Sequence, residues 1–333
     1  MDWRKGFSSA CHVMVVDPST WRDISRFEIT GGSISRTSSE LRESADIDCV
    51  KYVGKAEQWV RIYLDAFQDG DSKHEALFTG LACVPSVEMD GALHSCPVEC
   101  YSVLKPAQDV LLQRGWYATE GMDGAELVKT LLGVTPAPIE VEKGSPALMQ
   151  SVVAEDGESS LSMTGKILDA IGWRIRISGD GRIVICPKAS AVSAIFDPGE
   201  NDIVEPRVTI SSDWYGCPNV FRAVHNGVAA IARDDDESSI FSTVSRGREI
   251  WMEETSCSLN DGETAEEYAM RRLKEEQARA ETISYKRRYN PDIRVGDIVQ
   301  FRYPGYGIVG EYTVAEQSIN LSCPAKVSEK SIG

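Results

Sequence analysis

Trp59-Val60-Arg61-Ile62-Tyr63-Leu64-Asp65-Ala66, then Gln68-Asp69-Gly70-Asp71-Ser72, then a return over 76–84: this stretch decides the fold. Val60, Ile62, Leu64 and Ala66 point one way, while Trp59, Arg61, Tyr63 and Asp65 point the other. That period of two is a β-strand, and the Asp-Gly pair supplies the reversal of a hairpin. One dry face and one mixed face pattern the wall of a small barrel or sandwich. Upstream, 12–16 is a short apolar strand ended by Asp17-Pro18-Ser19, 24–30 runs into Gly31-Gly32, and 45–53 alternates again.

From about Lys105 the period changes. Asp123-Gly124-Ala125-Glu126 has the pattern of a capping box, and Leu127, Val128, Leu131 and Leu132 continue it as an apolar stripe. A second helix opens at Ser159 or Ser160, with Leu161, Thr164, Leu168 and Ile171 at helical spacing. It leads into a tight hairpin, 173–178 and 182–186, across Gly179-Asp180-Gly181.

The last third returns to strands, at 206–210 and 219–224 with a further one before Arg233. A long helix beginning Thr264-Ala265-Glu266-Glu267 interrupts them. Its narrow stripe (Ala265, Tyr268, Ala269, Leu273) suits a helix lying on a sheet. In the final hairpin Val299, Phe301 and Tyr303 share a face, with Tyr312 and Val314 as cross-strand partners. The two ends resemble each other in outline: 60–66 with Phe78-Thr79-Gly80, and 298–303 with Gly310-Glu311-Tyr312.

The expected fold is α+β, mainly β, with two antiparallel β-barrels bracketing a small α+β domain. The expected domains are 1–105, 106–195 and 196–333, the last carrying an inserted helix at about 264–283.

The 333 residues carry a formal net charge of −16. Such a surface repels phosphate backbones and anionic lipid, which argues against a nucleic-acid reader or a membrane-docking protein. Neither a membrane-spanning apolar run nor a signal peptide is visible. Nine cysteines, irregularly spaced, read as small apolar core residues and not as a disulfide framework.

The search for chemistry is mostly negative. The four histidines, His12, His74, His94 and His225, show neither His-x-His nor i,i+4 pairing. His94, Cys96 and Cys100 raise a metal question, but a structural zinc site needs four ligands, so the core reading is preferred. Gly31-Gly32-Ser33-Ile34-Ser35 lacks the closing glycine of a nucleophile elbow and is read as a turn leading a strand. Gly179-Asp180-Gly181 is a hairpin turn, since no helix N-terminus follows it to cradle phosphate. Asp234-Asp235-Asp236-Glu237 lacks the pattern of a calcium loop and is read as solvated. Lys286-Arg287-Arg288 is expected to pair with acidic neighbours. No catalytic residue, metal ligand or cofactor is assigned.

Gly31-Gly32-Ser33-Ile34-Ser35-Arg36, Leu77-Phe78-Thr79-Gly80 and the helix and hairpin of 157–185 occur in an order that resembles the baseplate hub family of phage tails, which includes late-control D type proteins, and Val295-Gly296-Asp297 resembles a stretch of prophage tail proteins. Cys217-Pro218-Asn219-Val220-Phe221, Ser245-Arg246-Gly247-Arg248-Glu249-Ile250 and Tyr268-Ala269-Met270-Arg271-Arg272-Leu273 resemble stretches of prophage tail proteins. The resemblance implies a homotrimer with two tube-like barrels per chain, adapting a hexameric tail tube to a trimeric spike or fibre. Its implied partners are the tail tube or distal tail protein, the spike or fibre protein and the tape-measure protein, with DNA in non-specific transit. It implies a virion tail tip, made in the bacterial cytoplasm, and no enzyme. Two alternatives stand beside it. One is a cell-wall hydrolase with unassigned carboxylates. The other is a receptor- or carbohydrate-binding β module displaying Trp214, Tyr215 and Tyr306.

Overall fold

The computed structural model describes residues 1–49, 57–83, 88–90, 93–199, 203–213, 215–225, 227–255, 257, 259 and 263–333, with only the backbone described for 88–90 and 93–95. The N-terminal strands are β1 (Ser8–Val16), β2 (Asp23–Phe27), β3 (Gly31–Thr37), β4 (Glu43–Cys49), β5 (Glu57–Gln68), β6 (Asp71–Cys83), β7 (Glu88–Asp90) and β8 (Leu93–Ser102). They pair in the order β3-β4-β8-β6-β5-β1-β2, with β7 on β8. The β5–β6 hairpin turns on Asp69 and Gly70, both at positive φ (51° and 92°), which an Asp-Gly pair tolerates. Val60, Ile62, Leu64 and Ala66 are fully buried, packed with Val13, Ile34 and Phe78. Each of the larger side chains, Val60, Ile62 and Leu64, contributes about 1.5–3 kcal/mol when fully buried. Between Ile62 and Tyr63 the register slips, so Leu77 and Phe78 are both buried on β6.

The mixed face of β5 is not simply a solvent face. Trp59 and Arg61 are buried on it, under a middle unit built from α1 (Lys105–Asp109), β9 (Tyr117–Ala118), α2 (Gly124–Leu132), β10 (Ile139–Val141), β11 (Val152–Val153), α3 (Ser160–Ala170), β12 (Trp173–Ile177) and β13 (Ile183–Pro187). Both longer helices begin at side-chain caps: the Asp123 carboxylate accepts from Ala125 N and Glu126 N, and Ser159 Oγ accepts from Ser162 N. Their apolar faces share one core with the β10-β13-β12 sheet and with Trp59. Gly165 sits inside α3 with open space where a Cβ would stand. Gly165→Ala is therefore expected to raise the unfolding free energy by about 0.5–1 kcal/mol in urea denaturation; a destabilisation would contradict it.

The C-terminal part comprises β14 (Val192–Phe196), β15 (Thr209–Ser212), β16 (Val220–His225), β17 (Val228–Arg233), α4 (Thr243–Arg246), β18 (Trp251–Thr255), α5 (Ala265–Arg279), β19 (Glu281–Arg288), β20 (Ile298–Tyr303), β21 (Ile308–Asn320) and β22 (Lys326–Ile332). Six of these strands repeat the N-terminal plan. The path β1-β5-β6-β8-β4-β3 has its counterpart in β14-β20-β21-β22-β19-β15, with the strands taken in the same chain order. The repeat differs at one end, since β1 runs antiparallel to β5 whereas β14 runs parallel to β20. In the final hairpin Val299 opposes Tyr312 and Phe301 opposes Gly310, much as Val60 opposes Gly80 in the first.

Two expectations stand differently in the structure. The repeated units are not resolved as two closed barrels. Strand β21 pairs with β3, from Glu316–Thr37 to Asn320–Ser33, and the halves merge into one fourteen-stranded sheet whose path ends at β2 and β15. No pairing closes either unit among the described residues. The physical reason is that alternation fixes which face of a strand is dry but not which edge it pairs with. Secondly, the strands expected at 219–224 and before Arg233 do not join the second unit. They form the separate sheet β17-β16-β18, and Tyr268, Ala269 and Leu273 of α5 cover Phe221, Ala223 and Ala232 on it. The inserted helix thus belongs to a larger insertion between β15 and β19. Among the described residues no helix is long and apolar enough to cross a membrane.

Candidate functional site

Three constellations stand out, all at places where separate parts of the chain meet. The first is the turn Gly179-Asp180-Gly181, which docks on the N-terminal sheet. Arg61 Nη2 and Trp21 Nε1 both donate to Asp180 O (3.0 and 2.8 Å), and Thr79 Oγ1 donates to Gly179 O (2.8 Å). Arg61 also holds Asp23 at 2.9 Å. A Cβ on Gly179 would lie 1.7 Å from Ala76 O, so only glycine permits this approach.

The second is a buried polar chain along the β21–β3 seam. Arg287 and Glu329, with side chains 1% and 0% exposed, form a bidentate pair at 2.7 and 2.5 Å. Gln317 Nε2 donates to Glu329 Oε1 (2.5 Å), Arg36 Nη1 donates to Gln317 Oε1 (3.2 Å), and Arg36 Nη2 reaches Leu77 O (2.5 Å). Glu43 lies 3.6 Å from Arg36 Nε, and Arg294 Nη1 donates to Ile177 O of the middle unit (3.2 Å). Burial pushes the Glu43 carboxyl up to about 7, against the pull of Arg36 and Arg294. An unfolded Glu titrates near 4.3, so the folded state binds the extra proton between these values. The contribution is present below about pH 4.3 and is lost as pH rises through about 7. Relative to Glu43→Gln, the wild-type protein is expected to lose stability across that window; parallel stability profiles would refute it.

The third is a cluster that spacing in the chain conceals. His12 on β1, Asp65 on β5 and His74 on β6 come together because β5 lies between the other two. His12 Nδ1 lies 2.7 Å from Asp65 Oδ2 and His74 Nδ1 lies 2.6 Å from Asp65 Oδ1. The two imidazoles stack at 5.1 Å, and Tyr63 stacks on His74 at 4.0 Å. Tyr63 in turn donates its hydroxyl to Asp23 (2.7 Å). Burial works against the Asp65 charge, but the hydrogen bonds from His74 and His12 hold its carboxyl below the usual range. Half of this cluster was legible: a turn at Asp69-Gly70 places Asp65 opposite His74. The approach of β1, which brings His12, was not.

The residues singled out from sequence are mostly structural. Cys96 and Cys100 are 1% exposed in the first apolar core, and burial raises the Cys100 thiol well above its ordinary value; the side chain of His94 lies outside the described residues. Ser33 and Ser35 lie inside β3, led by Gly32, where a Cβ would meet Asp46 O at 2.1 Å. Asp234 accepts from Ser239 Oγ and Gln277 Nε2, and Asp236 from Ser238, so these carboxylates are engaged in turns and packing. Arg287 of the basic run pairs within the chain. Tyr215 and Tyr306 are exposed, and Trp214 lies outside the described residues.

No family model matches the chain, and no curated protein matches it. Solved structures do. The 43 kDa tail protein of prophage MuSo2 from Shewanella oneidensis is 13% identical with a TM-score of 0.68, covering 98% of each chain. A tail protein from Neisseria meningitidis is 13% identical with a TM-score of 0.70, over 98% of this chain and 96% of its own. The prophage tail protein gp18 from Listeria monocytogenes is 13% identical with a TM-score of 0.57, over 97% and 94%. The protein therefore shares the fold of these tail proteins along nearly its whole length.

Proposed function

We propose that this chain is a non-enzymatic structural hub at the tip of a phage-type tail, where three copies join a sixfold tube to a threefold spike or fibre. The observation that carries the reading is the repeated six-strand unit within one chain. Three chains present six such units, so one ring can match sixfold neighbours on one side and threefold neighbours on the other. The strand path of each chain ends at two unlike edges, β2 and β15. Unlike edges that meet head to tail close into a ring if the rotation is right, and closure removes exposed strand edges. The likeness in fold to prophage tail proteins supports the same reading, with synthesis in the bacterial cytoplasm and a place in the virion. A surface of net charge −16 lets DNA pass without adhering. The test is the copy number in intact tails. Quantitative mass spectrometry of purified particles is expected to give three chains per tail, at the end of the tube. A single copy, six copies or an even distribution along the tube would overturn the proposal.

A further inference from the structure

We propose that His12, Asp65 and His74 form a binding site for one divalent transition-metal ion of the zinc class, with a fourth coordination position open to solvent. Two imidazole nitrogens and one carboxylate oxygen are a donor set that suits zinc, nickel or copper and not calcium or magnesium, which take oxygen ligands. Three protein ligands with a fourth position left to water is a coordination that zinc adopts, as opposed to the closed four-ligand set of structural sites.

The geometry is nearly assembled. The candidate ligand atoms all lie within 4.8 Å of one another. Both histidines turn the same nitrogen, Nδ1, towards the one carboxylate, and each approaches a different oxygen of it. A tetrahedral ion with metal–nitrogen distances near 2.0–2.1 Å separates its ligands by roughly 3.4 Å. With Asp65 Oδ1 as the ligand oxygen, its 2.6 Å distance to His74 Nδ1 must widen by less than about 1 Å, and His12 Nδ1 must turn from Oδ2 towards the same ion, within a group whose ligand atoms already lie inside 4.8 Å. The half-exposed His74 side chain, 52% accessible, has room to do this. The remaining ligands are held by their surroundings. His12 is buried, Asp65 lies on the central strand of three, and the stacked ring of Tyr63 backs His74 while Asp23 and Arg61 fix the far side. The competing account is that Asp65 simply accepts one N–H from each neutral imidazole. The two accounts differ in what the cluster does with an ion: metal binding replaces both Nδ1–H donors by metal–nitrogen bonds, and each neutral imidazole then carries its one ring proton on Nε2.

The experiment uses the full chain carrying Cys323→Ser, because Cys323 is an exposed thiol and would bind zinc on its own account. Chelator-stripped protein is titrated with zinc chloride by calorimetry and with cobalt chloride by visible absorption. The expected result is one equivalent per chain, a rise in melting temperature with zinc, and weakening of at least about tenfold in His74→Ala and in Asp65→Asn, since loss of even an outer-shell partner has that effect. Both substituted side chains are partly exposed, and circular dichroism checks that the variants are folded. No binding by the stripped protein, binding unchanged in His74→Ala, or calcium held as tightly as zinc would each overturn the proposal.

Discussion

Arg287→Met is expected to destabilise the protein by roughly 3–5 kcal/mol, the cost of removing one partner from a buried ion pair. Glu329 would then be left without its ion-pair partner, with a side chain that is 0% exposed and with Gln317 as its main remaining donor. The loss should spread beyond β19 and β22, because Gln317 also receives Arg36 from across the seam. Denaturant titration gives the magnitude. Hydrogen exchange should show amides of β3 and the paired part of β21 exchanging sooner. The double variant Arg287→Met, Glu329→Leu is expected to recover much of the loss, since replacing both charges by apolar groups is often neutral or favourable. A single-variant effect below about 1 kcal/mol would mean that the pair is not the stabilising link described.

Gly179→Ala is expected to undock the middle unit from the N-terminal sheet. The added Cβ meets backbone, 1.7 Å from Ala76 O and 2.4 Å from its carbonyl carbon, so no side-chain rotation relieves it. Backing the turn away breaks the bonds from Arg61, Trp21 and Thr79. At about 0.5–1.5 kcal/mol for each neutral donor and about 1.5–3 kcal/mol for the charged one, the loss is roughly 2.5–6 kcal/mol. It also wets Trp59 and Trp21 at the contact, so a red shift of tryptophan emission is the direct readout. An unshifted spectrum and unchanged stability would contradict the contact. Gly165→Ala is the internal comparison, the same chemical change with the opposite expected sign.

Among the local elements the sequence was informative because the deciding interactions are local. The Asp69-Gly70 turn, the Asp123, Ser159 and Thr264 caps and the period-two stretch 59–66 each declare a structure within a few residues. The register of the final hairpin follows from the same alternation, since Val299, Phe301 and Tyr312 share one dry face. Likewise the repeated outline of 60–80 and 298–312 pointed to a duplicated unit before any strand was paired.

What remained hidden was every choice of distant partner. Nothing in 219–233 distinguishes a strand of the large sheet from one of a separate sheet, because an alternating strand is dry on one face in either place. The joining of β21 to β3, the burial of Arg287 with Glu329, and the arrival of His12 beside Asp65 all depend on edges more than 40 residues apart. The sequence by itself therefore determined the kinds of element, their caps and turns, and the duplication. Only the tertiary structure decided that the two units share one sheet, that Gly179-Asp180-Gly181 is a docking point, and that two histidines meet at one carboxylate. The physical reason is that side-chain period and turn chemistry are written in neighbouring residues, whereas strand edges are chemically alike and their pairing is settled by packing across the whole chain.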